Sequence, residues 1–394
     1  MKTKVLLLNL ILMFSINSYG QSGQDGNILW SITDSVLSLT GEGIMDNYNF
    51  NRMPSWNPYH KQIKEVIIGY GIANIGSYAF CDHSGLANIK VPNSVTSIGN
   101  NAFYNCSSLT SIDISGANSI GYKAFAGCNN LRSIDMPNVT SIGNDAFFAC
   151  YNLADVEISN SLTKIRDLTF IYCYGLTSMV IPNSVTSIGH NAFYDCRNLV
   201  SIDIPNSVTS IGDNAFAGCS SLTSIEIPNS MTNIENYTFA GCSSLTSVII
   251  PNSVTSIEHN AFEGCSGLTA IEIPGVTSIG NNAFLDCSGL TSIDISGAKN
   301  LGNRIFADCI SLASIDIPNS VTSIGSEAFR GCVSLSTIDV YWETPIIIPG
   351  SVFHNIPISQ ATLIVPAGTK SIYEAADGWK DFGTIIERAP RKTK

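Results

Sequence analysis

The chain has 394 residues, of which 44% are hydrophobic and only 13% charged, with a formal charge of −11 at pH 7. That balance argues against a nucleic-acid partner, because a duplex binder needs a basic stripe to neutralise phosphates. With 12 cysteines in the count, either cross-links or metal sites have to be tested against spacing before any function is read.

Residues 1–20 stand apart. Lys2 and Lys4 precede the apolar run VLLLNLILMF, and Ser18-Tyr19-Gly20 supplies a small-x-small cleavage pattern before Gln21. This reads as a secretory signal peptide, placing the chain outside the cell, at the cell surface or in the periplasm. The run is too short to span a bilayer, and no later segment reaches the roughly 18 to 20 apolar residues required, so no transmembrane segment is expected. Loss of the leader removes two lysines, leaving 18 basic against 31 acidic side chains, a charge of −13.

From residue 63 to about 360 the pattern is periodic. Phe80, Phe103, Phe125, Phe147, Phe170, Phe193, Phe216, Phe239, Phe262, Phe284, Phe306 and Phe329 recur at steps of 22 or 23 residues. A unit that short cannot enclose its own apolar residues, so it must stack on its neighbours in a solenoid. The unit LTSIEIPNSMTNIENYTFAGCSS, from Leu222, shows the frame. Alternation of Leu222, Ile225 and Ile227 predicts a short strand with Thr223, Ser224 and Glu226 outward. Pro228 and Asn229 end it, and a second short extended segment follows around Met231 to Ile234. Phe239 and Cys242, three residues apart, predict a brief helical or 3₁₀ return that turns both inward. The fold class is therefore a repeat solenoid with a parallel β-sheet, short second strands and short helical returns, in about 13 coils.

The cysteines obey the same period. Eleven of them, among them Cys196, Cys219 and Cys242, fill one slot in consecutive units, so their side chains should run parallel up a column. Parallel Cα–Cβ vectors favour buried thiols over disulfides. No C-x₂-C spacing supports zinc. Cys81 lies outside the column, because His83 holds the slot in its unit, and is expected to be the one accessible thiol. The column phenylalanines, including Phe103, Phe125, Phe147, Phe193, Phe216, Phe239 and Phe262, form the predicted core with these thiols.

The spelling IPxSVTSIGxxAFxxCxxL resembles the BspA-type subfamily of leucine-rich repeat proteins of bacterial surfaces, over about Ile63 to Val365. The resemblance implies cell-surface adhesion, with protein or cell-surface ligands, including host matrix proteins, as partners. It also marks residues 21–62 as an N-terminal cap and 361–394 as a C-terminal cap with a basic tail; Trp30, Trp56 and Trp379 are expected as cap residues. The tail from Arg388 is expected to be a solvated terminus. Two units depart from the frame: Ile114 and Ile295 are followed by SGA where others have PNS.

One column of the strand points outward between the two isoleucines. It reads acidic at Asp113, Asp135, Glu157, Asp203, Glu226, Glu272, Asp294, Asp316 and Asp339, and otherwise Lys90, Val180 and Ile249. Like charges on adjacent strands are mildly destabilising, so this strip is not explained by fold stability. It is the candidate ligand surface, with a solubilising face as the alternative. Calcium lacks an EF-hand or G-G-x-G-x-D motif. No cofactor or metal is expected, and no catalytic residue is assigned. His60, His83, His190, His259 and His354 are dispersed, and no G-x-S-x-G, phosphate loop or HExxH occurs. A glycan-binding role is the competing reading, resting on Phe148, Tyr151, Tyr172, Tyr174 and Tyr194, which cluster around the returns of adjacent coils; a structural envelope or matrix role is another alternative.

Overall fold

The computed structural model describes residues 20–389, so the leader and the last residues of the basic tail lie outside the described part. Within it the chain winds as a parallel β-solenoid. Each coil lays a three- or four-residue strand in a first sheet, for example Ser224–Glu226, and a two-residue strand in a second, for example Asn233–Ile234. The alternation sets the register: Ser224 pairs with Ser247, Ile225 with Val248 and Glu226 with Ile249. A one-residue slip would turn Ile225 to solvent, so the hydrophobic pattern specifies the pairing strongly. After Pro228 the chain closes a turn, with the Met231 N–H donating to the Pro228 carbonyl at 3.0 Å.

The return segments differ from the expected helical turns. Each is a run of tight turns in which the residues two before and two after the phenylalanine have positive φ, as at Asn191 (54°) and Asp195 (59°) around Phe193. Left-handed residues interrupt an α-helical ladder and aim alternate N–H groups along the solenoid axis. Those groups bond the next coil: Asn191 to the Asp213 carbonyl at 2.9 Å, Phe193 to Ala215 at 2.8 Å and Asp195 to Ala217 at 2.7 Å. The return thus behaves as a third inter-coil ladder, which satisfies buried backbone groups that an isolated helical turn would leave unpaired.

Phenylalanine rings form one continuous stack inside the coils, with centroids 5.2–5.8 Å apart from Phe80 to Phe353. Phe353 extends the column beyond the regular period and was not anticipated. Beside the rings, each column thiol donates to the phenylalanine carbonyl of the preceding coil: Cys196 to Phe170 at 3.1 Å, Cys219 to Phe193 at 3.2 Å, Cys242 to Phe216 at 3.2 Å. All twelve cysteines are free and buried. That corrects the reading of Cys81: it follows Phe80 directly, in a slot held elsewhere by residues such as Ala126, Ile171 and Ala217, all likewise buried.

At the N-terminal end, Gln21–Asp25, Ile28–Thr33 and Val36–Gly41 form an antiparallel meander, and the last of these pairs in parallel with Glu65–Ile68. Trp56, fully buried, donates its indole N–H to the Ala79 carbonyl at 3.0 Å and covers the first ring of the stack. At the other end, Thr362–Val365 and Thr384–Glu387 continue the first sheet. There Trp379 donates to the Ile346 carbonyl and Trp342 to that of Val321, each at 2.9 Å. Arg388 is not a solvated residue. Its guanidinium pairs with Asp339 and lies 3.6 Å from the centroid of the Tyr341 ring, because the strand ending at Glu387 delivers it onto the neighbouring coil.

Candidate functional site

Two outward surfaces depart from the pattern of small polar residues on the coils. The first is the column on the first sheet. The strand register sets Asp113 against Asp135 and Asp135 against Glu157, Glu272 against Asp294, and Asp316 against Asp339. Asp203 and Glu226 face Val180 and Ile249 across their pairings, and these two apolar members are 70% and 58% exposed, so the strip is broken twice by uncovered aliphatic side chains.

The carboxylates are not equivalent. Asp113 and Asp294 accept the N–H groups of Ser115 and Ser296 at 2.9 and 2.8 Å, which closes the turn in the two SGA coils. An Asx turn supplies there the stop that proline supplies elsewhere. Asp339 is half-buried beneath Arg388. Partial burial, and then Asp339 beside it, push the Asp316 carboxyl above the usual carboxylate range, against the pull of Arg388. Asp135, Glu157, Asp203, Glu226 and Glu272 are exposed and enter no ion pair among the described residues. At the opposite end of the strip Lys90 is paired with Glu65 at 2.9 Å.

The second surface lies on the returns. Tyr151 and Tyr174 stack with centroids 5.2 Å apart and planes 6° off parallel. Tyr172 meets the edges or faces of Phe148, Tyr174 and Tyr194 at 5.8, 6.2 and 5.8 Å. The Arg197 guanidinium lies 5.2 Å from the Tyr174 centroid and holds both carboxylate oxygens of Asp195, at 2.9 and 2.7 Å. Their positions on the returns of adjacent coils placed these five rings near one another in the sequence; the pairing of Arg197 with Tyr174 was missed, although Tyr151, Tyr174 and Arg197 each follow a column cysteine and therefore had to align.

The histidines do not assemble. His190 and His259 accept the N–H groups of Asp213 and Asn281 through Nδ1, at 3.0 and 2.8 Å, which assigns the ring proton to Nε2. They are rungs in a side-chain ladder that elsewhere uses asparagine, as where Asn281 accepts from Asn303 at 2.8 Å. Among the described residues no three His, Cys, Asp or Glu side chains converge to hold a metal ion, and no helix is long and apolar enough to cross a membrane.

A family model described as BspA type Leucine rich repeat region (6 copies) matches residues 58–177, 163–291 and 255–376. Among solved structures, a leucine-rich repeat protein from Bacteroides ovatus ATCC 8483 is similar over 95% of this chain and 100% of its own, at 26% identity and a TM-score of 0.74. The pneumococcal vaccine antigen PcpA shares the fold over 95% of this chain and 100% of its own, at 18% identity and a TM-score of 0.51. No curated protein matches the chain.

Proposed function

Because the chain belongs to the BspA-type leucine-rich repeat family, we propose that it is a non-catalytic interaction module, exported by its leader, which presents the outer face of its stacked coils to protein ligands at or beyond the cell surface. One observation carries this reading. Carboxylates stand in register on successive strands, where mutual repulsion opposes folding, and five of them have neither an ion partner nor a turn to close. A surface retained against its own electrostatic penalty is suited to a basic partner, and its uniform spacing suits an extended one.

The uniform coils also favour binding over chemistry. Catalytic groups concentrate on irregular loops that a scaffold brings together, and here the turns repeat with little change from coil to coil. The test is capture from a panel of extracellular matrix, plasma and bacterial-surface proteins by purified residues 21–394, beside a variant with Asp135, Glu157, Asp203, Glu226 and Glu272 changed to Asn or Gln. An affinity that falls at least tenfold in the variant, and falls with added salt in the parent, supports the strip as the contact. Equal affinity of both chains removes the strip, and capture of nothing across the panel removes the protein-ligand reading.

A further inference from the structure

We propose that the aromatic island on the returns of residues 148–197 is a binding platform for a neutral oligosaccharide. The proposal rests on the reading of the chain as a binding module and names a second ligand class and its place.

The first observation is that the island departs from the repeat. In the coils that follow, the two slots after the phenylalanine and the slot after the cysteine hold Ala217, Gly218 and Ser220, then Ala240, Gly241 and Ser243. Packing therefore does not call for rings there, yet three successive coils carry them. The second is backbone strain. Tyr172 has φ of 61° in a slot where the other coils place glycine, aspartate, asparagine or, at Ala149, alanine. Among the described residues Tyr172 is the one aromatic in that slot, while the slot two before the phenylalanine carries Tyr78 and Tyr237 at positive φ as well.

The third concerns which ligand fits. The rings are part-exposed, Tyr151 by 42%, and although Tyr174 is stacked between Tyr151 and Arg197, the cluster leaves ring edges and Tyr151 open to solvent. A sugar presents an apolar C–H face to such rings and hydroxyls to polar groups at the margin. The Arg197–Asp195 pair places donors and acceptors together beside Tyr174. The island spans three coils, about 15 Å at roughly 4.8 Å per coil, whereas the ~800 Å² per partner of a standard protein interface is a patch roughly 28 Å across. Asp195 pairs with Arg197 through both oxygens, so the island presents no uncompensated cation to a uronate or sulfate group.

The experiment uses residues 21–394 and calorimetric titration with cello-, chito-, malto-, laminari- and mannohexaose, with heparin and polygalacturonate as anionic contrasts. Its key variant is Tyr151→Ser, Tyr172→Gly and Tyr174→Ser together, which restores the residues the later coils carry; unreactive thiols and a single melting transition check that it folds. A control variant, Tyr237→Ala, removes an exposed tyrosine outside the island. The expected result is binding of at least one neutral hexasaccharide, weakened at least tenfold in the triple variant and unchanged in the control, with no binding of the anionic polymers. Failure of every neutral hexasaccharide to bind, equal affinity in the triple variant, or preference for the anionic polymers would overturn the proposal. If the triple variant still captures a protein ligand, the interaction-module reading stands without the sugar platform.

Discussion

The Sγ of Cys242 donates to the Phe216 carbonyl, one coil earlier, at 3.2 Å, and the same oxygen accepts the Cys219 N–H at 3.1 Å. The thiol thus fills the second lone pair of a buried carbonyl, a role that alanine cannot take. Cys242→Ala should destabilise the fold by about 1–3 kcal/mol through the lost bond and the space left behind, measured by urea denaturation. An unchanged midpoint would contradict this stitching role.

The buried thiols, in the column and at Cys81, predict sensitivity to alkali. Burial pushes the Cys265 and Cys332 thiols up from 9.0 to about 12, and Cys81, helped by Asp82, to about 12 as well. These groups stay neutral in the folded chain and ionise in the unfolded one, so their contribution is full below about pH 9 and is lost as pH climbs towards 12. Each thiol removes up to ~1.4 kcal/mol per pH unit in that window. Denaturant midpoints should hold from pH 7 to 8.5 and then fall steeply, and a thiol reagent at pH 8 should label no cysteine until the chain unfolds.

Between about pH 6.5 and 4, acid should act through His83. Burial lowers the His83 imidazole from 6.5 to about 4, its Nδ1 contacts the Cys81 carbonyl at 3.0 Å, and its Nε2 has no hydrogen-bond partner. A depressed base keeps its full contribution above about pH 6.5 and loses it as pH falls towards 4, a loss of up to about 3 kcal/mol. His83→Cys, which restores the residue of the other coils, should flatten the acid limb of the stability profile between those values; a limb as steep as the parent's would remove His83 as its cause.

Much of this architecture was legible because it repeats. Phe239 and Cys242 announce a shared inward column by spacing alone, and Ile225 and Ile227 announce the strand. What escaped has local causes. The returns were read as helical from the three-residue step between Phe239 and Cys242, while the signal against a helix stood two residues either side of the phenylalanines, where Asn191, Asp195, Asn214 and Gly218 are types that tolerate positive φ. Cys81 was judged by its absence from the cysteine column, not by the apolar column it does occupy. The contact of Arg388 with Asp339 depends on where the strand Thr384–Glu387 docks, which no period reveals. The acidic strip was visible as a column, but that Asp113 and Asp294 serve their own turns needed the hydrogen bonds.

Backbone conformation in the returns gives a paired test. Ala149 has φ of 56° and Gly241 of 73° in equivalent slots, and a Cβ at Gly241 would meet only ordinary contacts. Ala149→Gly should therefore stabilise and Gly241→Ala destabilise, each by about 1 kcal/mol. Shifts of the same sign in thermal unfolding would show that φ does not govern these slots.

Coils are interchangeable in the core and distinct only on their surface, a property that excising residues 222–244 puts to proof. The cut joins Ser221 to Leu245, brings Cys265 within reach of the Phe216 carbonyl in place of that of Phe239, and leaves the aromatic island untouched. A solenoid closes over the loss, because each coil touches only its neighbours. The expected product is a shortened chain with one cooperative transition, protected thiols and the ligand affinity of the parent at the island. An unfolded product with reactive cysteines would contradict it.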